Sequence, residues 1–224
     1  QDNFEEKISV KPRESFLPSG STWSTDRKAK AFVSLSNGVA IGMDASTRLS
    51  IVEYLQRPFD AKKQGFEYEP SVSKLQLQFD SGKIAVASNR LSPLSDLRIE
   101  LPIGSIRIHK GTCMISYDDL GVHLWGVEGN LTYYYPDEDS REFITAGNYV
   151  RISEISAKRQ QIAQQQDHLD FEPEIQLLID GTKHSSRRVL YKANLGTDEA
   201  PKPVMVVRPD YFKQPRVRPY QFKD

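Results

Sequence analysis

Apolar and polar side chains alternate along most of the chain between residues 28 and 153. The alternation is clearest over residues 104–152, where segments such as 106–108 and 131–135 place every second side chain on one face. Because successive side chains of a strand point to opposite faces, a period of two predicts half-buried strands. About ten such strands are predicted, which indicates an all-β fold of the β-sandwich, jelly-roll or β-helical-roll type.

Residues typical of turns separate these segments. Asn37-Gly38 lies between two alternating runs and predicts a two-residue hairpin turn of type I′. The Asp-Ser-Gly sequence at 80–82 predicts a second reversal of the chain, and Gly42, inside a predicted strand, indicates a bulge or a close backbone approach. Five further glycines are predicted at turns or at positive φ, namely Gly104, Gly111, Gly121, Gly129 and Gly147.

The hydrophobic pattern changes after Ser153. Residues 157–170 are rich in helix-forming residues and contain no glycine or proline. An apolar residue recurs every seventh position, at Ile155, Ile162 and Leu169, which is a narrow stripe on a helix surface. This segment therefore predicts one short helix that leans on the sheet.

The remaining C-terminal residues predict extra strands and then an extended tail. Apolar runs over 175–179, 188–190 and 204–207 predict three short strands. Prolines and an excess of basic residues follow, so an extended conformation is expected there. The aromatic residues of this tail, which include Tyr211 and Phe212, are expected to cover the sheet or to contact a partner.

These patterns divide the chain into three parts. An N-terminal arm spans residues 1–27, a β domain spans 28–153, and a C-terminal part with the helix, the extra strands and the tail spans 154–224. A chain of 224 residues is long enough to bury a sizeable core in one large domain with an appendage.

Charge and hydropathy argue against two classes of partner. Lys+Arg and Asp+Glu number 30 each, so no net charge attracts nucleic acid or an anionic membrane. There is no run of about 18 apolar residues, so no segment of this sequence is expected to span a bilayer. The sequence begins with Gln1 and shows no basic-then-apolar leader, which is compatible with a processed, exported product.

Few residues suggest metal or thiol chemistry. Cys113 is the only cysteine, which excludes an intrachain disulfide and a cysteine-based zinc site, and it is expected to be a structural thiol. His109 and His123 could form half of a metal site across neighbouring strands. No third ligand of matching spacing accompanies them, so the favoured interpretation is two solvent-facing histidines.

Acidic residues and known catalytic motifs do not indicate an active site. Asp137, Glu138 and Asp139 could bind calcium through their oxygens, but they lack the spacing of a calcium-binding loop, and a solvated turn is favoured. No motif of a nucleophile elbow, a zinc protease, a phosphate-binding loop or a dinucleotide site occurs. We therefore expect no enzyme activity, no catalytic residue, no bound metal and no cofactor.

Aromatic residues form the strongest candidate for a contact surface. Trp125, Tyr133, Tyr134 and Tyr135 lie on neighbouring predicted strands, and period two exposes at least one of each consecutive pair. An exposed aromatic row could contact a protein partner or stack on a sugar. The favoured interpretation is that the C-terminal segment covers this face.

Short motifs follow one another in a characteristic order along the β domain. They are Gly111-Thr112 with Met114, the turn Asp118-Asp119, the strand 124–127 with Glu128-Gly129, the pair Ala146-Gly147, and the apolar residues of 150–152. Residues 27–51 add an alternating strand, a glycine turn and a polar stretch before an apolar strand. In this order and spacing the motifs resemble the FecR-type domain, a periplasmic sensing domain of bacterial anti-sigma regulators, over residues 28–153.

The resemblance implies a function as well as a fold. It implies a non-enzymatic sensing or scaffolding module that contacts another envelope protein, in the periplasm or at the surface of a bacterium. Full regulators of the family add a cytoplasmic anti-sigma segment and one membrane helix, which this sequence does not contain, so the anti-sigma activity is not carried over. A glycan-binding module that uses the exposed aromatic residues is the alternative, and a hydrolase on a jelly-roll core is a third hypothesis.

Overall fold

The computed structural model describes most of the β domain and parts of both ends of the chain. The described residues are 15–16, 20–57, 66–136, 139–153, 171–190, 206–207 and 221–222. They form fourteen strands and one helix, α1, which spans Pro173–Arg187. The strands are β1 Ser15–Phe16, β2 Thr22–Ser24, β3 Ala31–Leu35, β4 Ala40–Met43, β5 Arg48–Gln56, β6 Ser73–Ala87, β7 Asp96–Leu101, β8 Gly104–Asp118, β9 Gly121–Tyr134, β10 Arg141–Thr145, β11 Tyr149–Ile152, β12 Val189–Leu190, β13 Val206–Val207 and β14 Gln221–Phe222.

Twelve of these strands pair in one mixed sheet. Its main order is β1-β13-β3-β4-β6-β7-β8-β9-β10, while β5 joins β6 to β2 and β11 pairs with β9. In addition, β6 pairs with β8, and β12 and β14 form a separate antiparallel pair. The predicted all-β fold with a short C-terminal helix and extra strands is therefore confirmed.

Three long strands, β6, β8 and β9, take part in two halves of the sheet. The first part of β6 pairs with β5 and β7, whereas its last part pairs with β4. In the same way β8 passes from β7 to β6, and β9 passes from β11 to β10. The first half-sheet thus contains β2, β5, β7 and β10 with the starts of β6 and β8 and the end of β9. The second half-sheet contains β1, β13, β3, β4 and β11 with the remaining parts of the three long strands.

The chain reversal predicted at residues 80–82 is wrong, because β6 runs through these residues without turning back. Gly82 has a φ of +100°, and a Cβ atom on it would lie 2.5 Å from the Oγ1 atom of Thr47. The register with β5 shifts here by one residue, as in a β-bulge. The turn-like residues therefore bend a continuous strand, which carries it from one half-sheet to the other.

The two half-sheets enclose one hydrophobic core. Leu77, Phe79 and Leu131 of the first half-sheet belong to the same cluster of buried side chains as Ile41 and Ile115 of the second. Because one continuous cluster is lined by both halves, the sheet folds over its own core in the manner of a sandwich. The outer faces of the two half-sheets point away from this core and are available for other contacts.

Helix α1 covers the outer face of the second half-sheet. It begins with Pro173. Proline is well suited to this position, because the first N–H groups of a helix form no intrahelical hydrogen bond and proline has no N–H. Leu178 and Ile179 are fully buried and pack with Ala85 of β6. The strand predicted over 175–179 is therefore wrong, because a short apolar run fits a buried strand or a buried helix equally well and the packing on the sheet selects the helix.

Small residues on both sides let α1 lie close to the sheet. A Cβ atom on Gly42 of β4 would lie 2.1 Å from Thr182 Oγ1 and 3.2 Å from Leu178 Cδ1. A Cβ atom on Gly181 of α1 would likewise lie 2.6 Å from the ring of Phe32. Of the bulge and the close approach that were predicted as alternatives for Gly42, the structure shows a close approach, made by side-chain atoms of Thr182, Leu178 and Phe32.

The predicted hairpin joins β3 to β4, but its turn is not of type I′. Gly38 has a φ of +86°, whereas Asn37 does not have the positive φ that this turn type requires. Gly38 N donates to the carbonyl of Leu35 (2.9 Å), and Leu35 N donates to the carbonyl of Val39 (2.8 Å), which defines a three-residue loop ending in a glycine bulge. The buried Asn37 amide donates to Ser73 Oγ (3.0 Å), which holds the loop in this conformation.

Several predictions concern residues that lie outside the described part of the chain. They are the helix over 157–170, most of the N-terminal arm, and the tail residues Tyr211 and Phe212. Within the described C-terminal residues, β12 and β13 fall inside the strands predicted over 188–190 and 204–207. No helix in the described ranges has the length and apolar character needed to cross a membrane.

Candidate functional site

The predicted aromatic group is divided between the core and two different outer faces. Tyr133 is fully buried, and its hydroxyl donates to the carbonyl of Ile103. Tyr135 packs against it edge to face, with 5.2 Å between ring centroids. Desolvation raises the pKa of the Tyr133 hydroxyl. Tyr133 is therefore a core residue and offers no surface to a partner, contrary to the prediction, and the half-buried Tyr135 packs beside it.

Trp125 lies on the outer face of the second half-sheet in a group of three stacked rings. Tyr149 of β11 is opposite Trp125 in register, with 4.9 Å between ring centroids, and the His123 ring lies 5.8 Å from Trp125. Trp125 also packs against the cluster that contains Met114 and Leu178. Helix α1 thus covers part of this face. The tail that was predicted to cover the aromatic group lies almost entirely outside the described residues, so that interpretation stays a prediction.

Tyr134 faces outward from the first half-sheet and is half-buried. In register it is opposite Arg141 on β10 and Ser105 on β8. The guanidinium carbon of Arg98 lies 6.0 Å from its ring centroid, at the limit of a cation–π contact. Tyr134 and Tyr133 have opposite environments because consecutive residues of a strand point to opposite faces.

A row of side chains crosses the outer face of the first half-sheet. Four residues on neighbouring strands are paired in register. In order across the sheet they are Arg98 of β7, Arg107 of β8, Thr132 of β9 and Phe143 of β10. Phe143 is 62% exposed. We call this row, together with Tyr134, the open face. Helix α1 packs on the opposite half-sheet, and the described ranges contain no other helix that could cover the open face.

His109 links the aromatic and polar parts of the open face. Its ring stacks on Phe143 with 5.9 Å between centroids, and its Nε2 atom shares a hydrogen bond with Thr132 Oγ1 (2.9 Å). Arg107 forms an ion pair with Asp96 (2.9 Å). Desolvation, followed by the charge of Arg107, lowers the pKa of His109, so the imidazole is neutral at neutral pH.

The two histidines considered as half of a metal site lie far apart. In the register of β8 and β9, His123 is opposite Ser116, which lies seven residues beyond His109, or roughly 20 Å along the strand. His123 Nδ1 shares a hydrogen bond with the Tyr149 hydroxyl (2.6 Å), and desolvation lowers the pKa of His123. In the part of the chain that the structure describes, no group of three His, Cys, Asp or Glu side chains could hold a metal ion.

Cys113 and the acidic turn add no chemistry to these surfaces. Cys113 lies in the core, and burial raises its pKa to about 12, so the thiol stays protonated and packs as a small apolar group, as expected. Of the acidic turn, Asp139 lies among the described residues, whereas Asp137 and Glu138 lie outside them.

Sequence reasoning missed Phe143, Arg98 and Tyr149. A signal for Phe143 was present, because Phe143 and Ile144 are consecutive in a strand and only one of them can enter the core. Ile144 is the residue that is fully buried. The positions of Arg98 and Tyr149 depend on which strands pair, and no local pattern carries that information.

The chain is similar in structure to a solved protein. Two crystal structures of a candidate anti-sigma factor from Parabacteroides distasonis ATCC 8503 align with it at TM-scores of 0.47 and 0.46 and 9% sequence identity. Both alignments cover 64% of this chain and 59% of the other, so the chain spans about three-fifths of that protein's length. No family model matches the sequence, and no curated protein matches it. The FecR-type resemblance stays a prediction.

Proposed function

We propose that the chain is a non-enzymatic sensing or scaffolding module of the bacterial cell envelope that acts by contacting another protein. The open face is the observation that carries this proposal. It carries the exposed ring of Phe143 and the half-buried ring of Tyr134, which lies 6.0 Å from the guanidinium carbon of Arg98, and Arg107 is opposite Arg98 in register. Aromatic and arginine side chains are the types that most often dominate the binding energy of protein interfaces.

The open face is also held in place before any partner binds. Its side chains stand on paired strands above one packed core, and Arg107 is oriented by Asp96. A surface that is already ordered loses less conformational entropy when it binds. The location in the periplasm or at the cell surface rests on the FecR-type resemblance of the sequence.

Site-specific photo-crosslinking in the producing bacterium tests this proposal. A photoreactive amino acid replaces Phe143 in one variant and Leu177 of α1 in the control, two apolar residues that are 62% and 63% exposed. Non-specific capture depends on exposure and affects both positions alike. We expect a discrete protein adduct from position 143 and none from position 177. Equal adducts from both positions, or no adduct from position 143, would contradict the proposal.

A glycan-binding module is the second candidate. The observation that favours it is the exposed ring of Phe143 stacked beside the exposed imidazole of His109, since sugars stack on aromatic rings and hydrogen-bond to adjacent polar groups. In that case soluble envelope polysaccharide would shift the amide NMR signals of β10, and Phe143→Ser would abolish the shifts. Such shifts without a protein adduct at position 143 would replace the first candidate by the second.

A further inference from the structure

An open cleft of about 420 Å³ lies where the end of α1 meets the bend of β8 and the loop after β6. Four basic residues, Arg90, Lys110, Lys183 and Arg187, line it together with the acidic residue Glu67. The volume is that of a site for a small molecule. The cleft shares no residue with the open face.

Arg90 fixes the walls of this cleft. Its Nε atom donates to the carbonyl of Glu67 (2.8 Å), and a terminal nitrogen donates to the carbonyls of Ser186 (3.1 Å) and Val189. Ser186 belongs to the last turn of α1, where the backbone carbonyls form the negative end of the helix dipole. Arg90 thus ties α1 to the loop and offsets a negative potential that would otherwise repel an anion.

The rim of the cleft already holds a carboxylate of this chain. Glu128 Oε1 lies 2.6 Å from Lys183 Nζ, and its Oε2 atom accepts from Asn89 Nδ2 (2.8 Å) and from the Thr112 hydroxyl (3.3 Å). Desolvation acts to raise the pKa of Glu128, but the hydrogen bonds from Lys183 and Asn89 outweigh it, so the pKa is lowered. The donors at this rim therefore stabilise a negative charge.

Lys110 and Arg187 are the cations of the cleft that remain available. Both are exposed, and the ion pairs formed within the described ranges involve neither. Lys110 Nζ lies 4.5 Å from the ring centroid of Tyr68, which holds the ammonium group at the cleft. Arg187 extends from the last turn of α1. With Lys183 paired to Glu128, these two charges leave the cleft positive.

We propose that this cleft binds a small anionic ligand that carries a phosphate or carboxylate group. Lys110 and Arg187 contact the anion through charge-assisted hydrogen bonds, Arg90 holds the walls, and Glu128 competes with the ligand for Lys183. The inference goes beyond the proposed function, because it gives the module a ligand at a place separate from its partner-binding face. It does not depend on the open face.

Isothermal titration calorimetry of the full chain at low ionic strength tests the inference, with inorganic phosphate and citrate as probes. We expect saturable one-to-one binding of at least one probe, and the probe that binds distinguishes a phosphate from a carboxylate ligand. The double substitution Lys110→Ala and Arg187→Ala should weaken binding about tenfold for each cation removed. Both side chains are exposed, so the variant should keep the melting temperature of the parent.

Two further variants make the test specific to the cleft. Lys74→Ala with Arg141→Ala removes the same charge from the first half-sheet and should leave binding unchanged. Glu128→Gln removes the competing carboxylate and should tighten binding severalfold. The inference is overturned if neither probe binds, if the control pair weakens binding as much as the cleft pair, or if Glu128→Gln weakens binding.

Discussion

Gly111 and Gly129 face each other across β8 and β9, where both strands bend. A Cβ atom on Gly129 would lie 1.8 Å from the carbonyl oxygen of Lys110, and a Cβ atom on Gly111 would lie 1.8 Å from that of Glu128. Gly129 was predicted to lie at a turn or to have a positive φ. It has a φ of +71°, but it lies inside a strand. The close contact at the bend therefore excludes a side chain from either residue.

We predict that Gly129→Ala destabilises the protein much more than Gly20→Ala. Gly20 has a similar φ of +63°, but no atom of the described residues lies within 4 Å of a Cβ built on it. The conformation alone costs about 1–2 kcal/mol, so Gly20→Ala should lower the free energy of unfolding by that amount. Gly129→Ala adds a backbone clash and should cost about 3 kcal/mol or more. Urea denaturation measures the free energy of unfolding of both variants. Equal decreases would show that the close contact across the bend adds nothing to the cost of Gly129→Ala.

Glu69 is a buried carboxyl group that accepts hydrogen bonds from several neighbouring side chains and one backbone N–H. Ser95 Oγ (2.6 Å), Gln56 Nε2 (3.0 Å) and Ser92 N (3.2 Å) donate to it, and its residue is 5% exposed. Desolvation exceeds the effect of these hydrogen bonds and raises the pKa of Glu69 above its ordinary value of 4.5. The folded protein therefore holds this proton more tightly than the unfolded chain does.

This difference predicts how stability changes with pH. The stability that protonated Glu69 contributes is fully present below pH 4.5 and is lost as the pH rises through the raised pKa. Because Glu69→Gln cannot titrate, its free energy of unfolding should fall less than that of the parent between pH 4.5 and about pH 7. Glu128→Gln is the control, and its effect should have the opposite sign. The pKa of Glu128 is lowered, so the free energy of unfolding of Glu128→Gln should fall more than that of the parent over the same range. Denaturant unfolding at both pH values measures the change in the free energy of unfolding. An equal change for the parent and for Glu69→Gln would refute the prediction.

At the scale of elements, the contact between α1 and β4 depends on the absence of a side chain at Gly42. Its Cβ would meet Thr182 Oγ1 at 2.1 Å, so Gly42→Ala must displace the helix or the Thr182 side chain. The Thr182 hydroxyl donates to the Leu178 carbonyl within the helix (2.7 Å), a bond that the helix does not need in order to form. The cost of Gly42→Ala is therefore set by overpacking.

We predict that Thr182→Ala relieves this overpacking. Gly42→Ala alone should lower the free energy of unfolding by about 1–3 kcal/mol. In a background that carries Thr182→Ala, the same substitution should cost about 1 kcal/mol less, because the nearest obstructing atom is gone. A double-mutant cycle by urea denaturation measures the coupling. If the changes in the free energy of unfolding are additive, Thr182 and residue 42 do not clash in Gly42→Ala.

At the scale of the whole molecule, α1 covers one outer face of the folded sheet and leaves the other face exposed. The helix buries Leu178 and Ile179 on the covered face, whereas the other presents Phe143 and Tyr134. The basic cleft lies at the end of α1 and shares no residue with the open face. The partner proposed for the open face and the anion proposed for the cleft would therefore bind at separate places, and variants of Phe143 and Arg187 distinguish the two proposals.

The sequence by itself determined the properties that depend on neighbouring residues. Period two indicated the strands, because alternate side chains of a strand must share one environment. The five glycines predicted at turns or at positive φ all have positive φ, because only glycine adopts such conformations readily. The core position of Cys113 followed from its place in an apolar strand. These features gave the all-β class and most strand positions.

Only the tertiary structure decided the properties that depend on pairing between distant segments. The residues at 80–82 are compatible with a turn or with a bend, and pairing of β6 with β5 and β8 on its two sides selects the bend. The run at 175–179 fits a strand or a helix, and the space above Gly42 selects the helix. The open face joins four strands, and the cleft joins Tyr68 to Arg187. Neither surface can be predicted from local patterns, because the free energy of forming it comes from contacts between residues far apart in the chain.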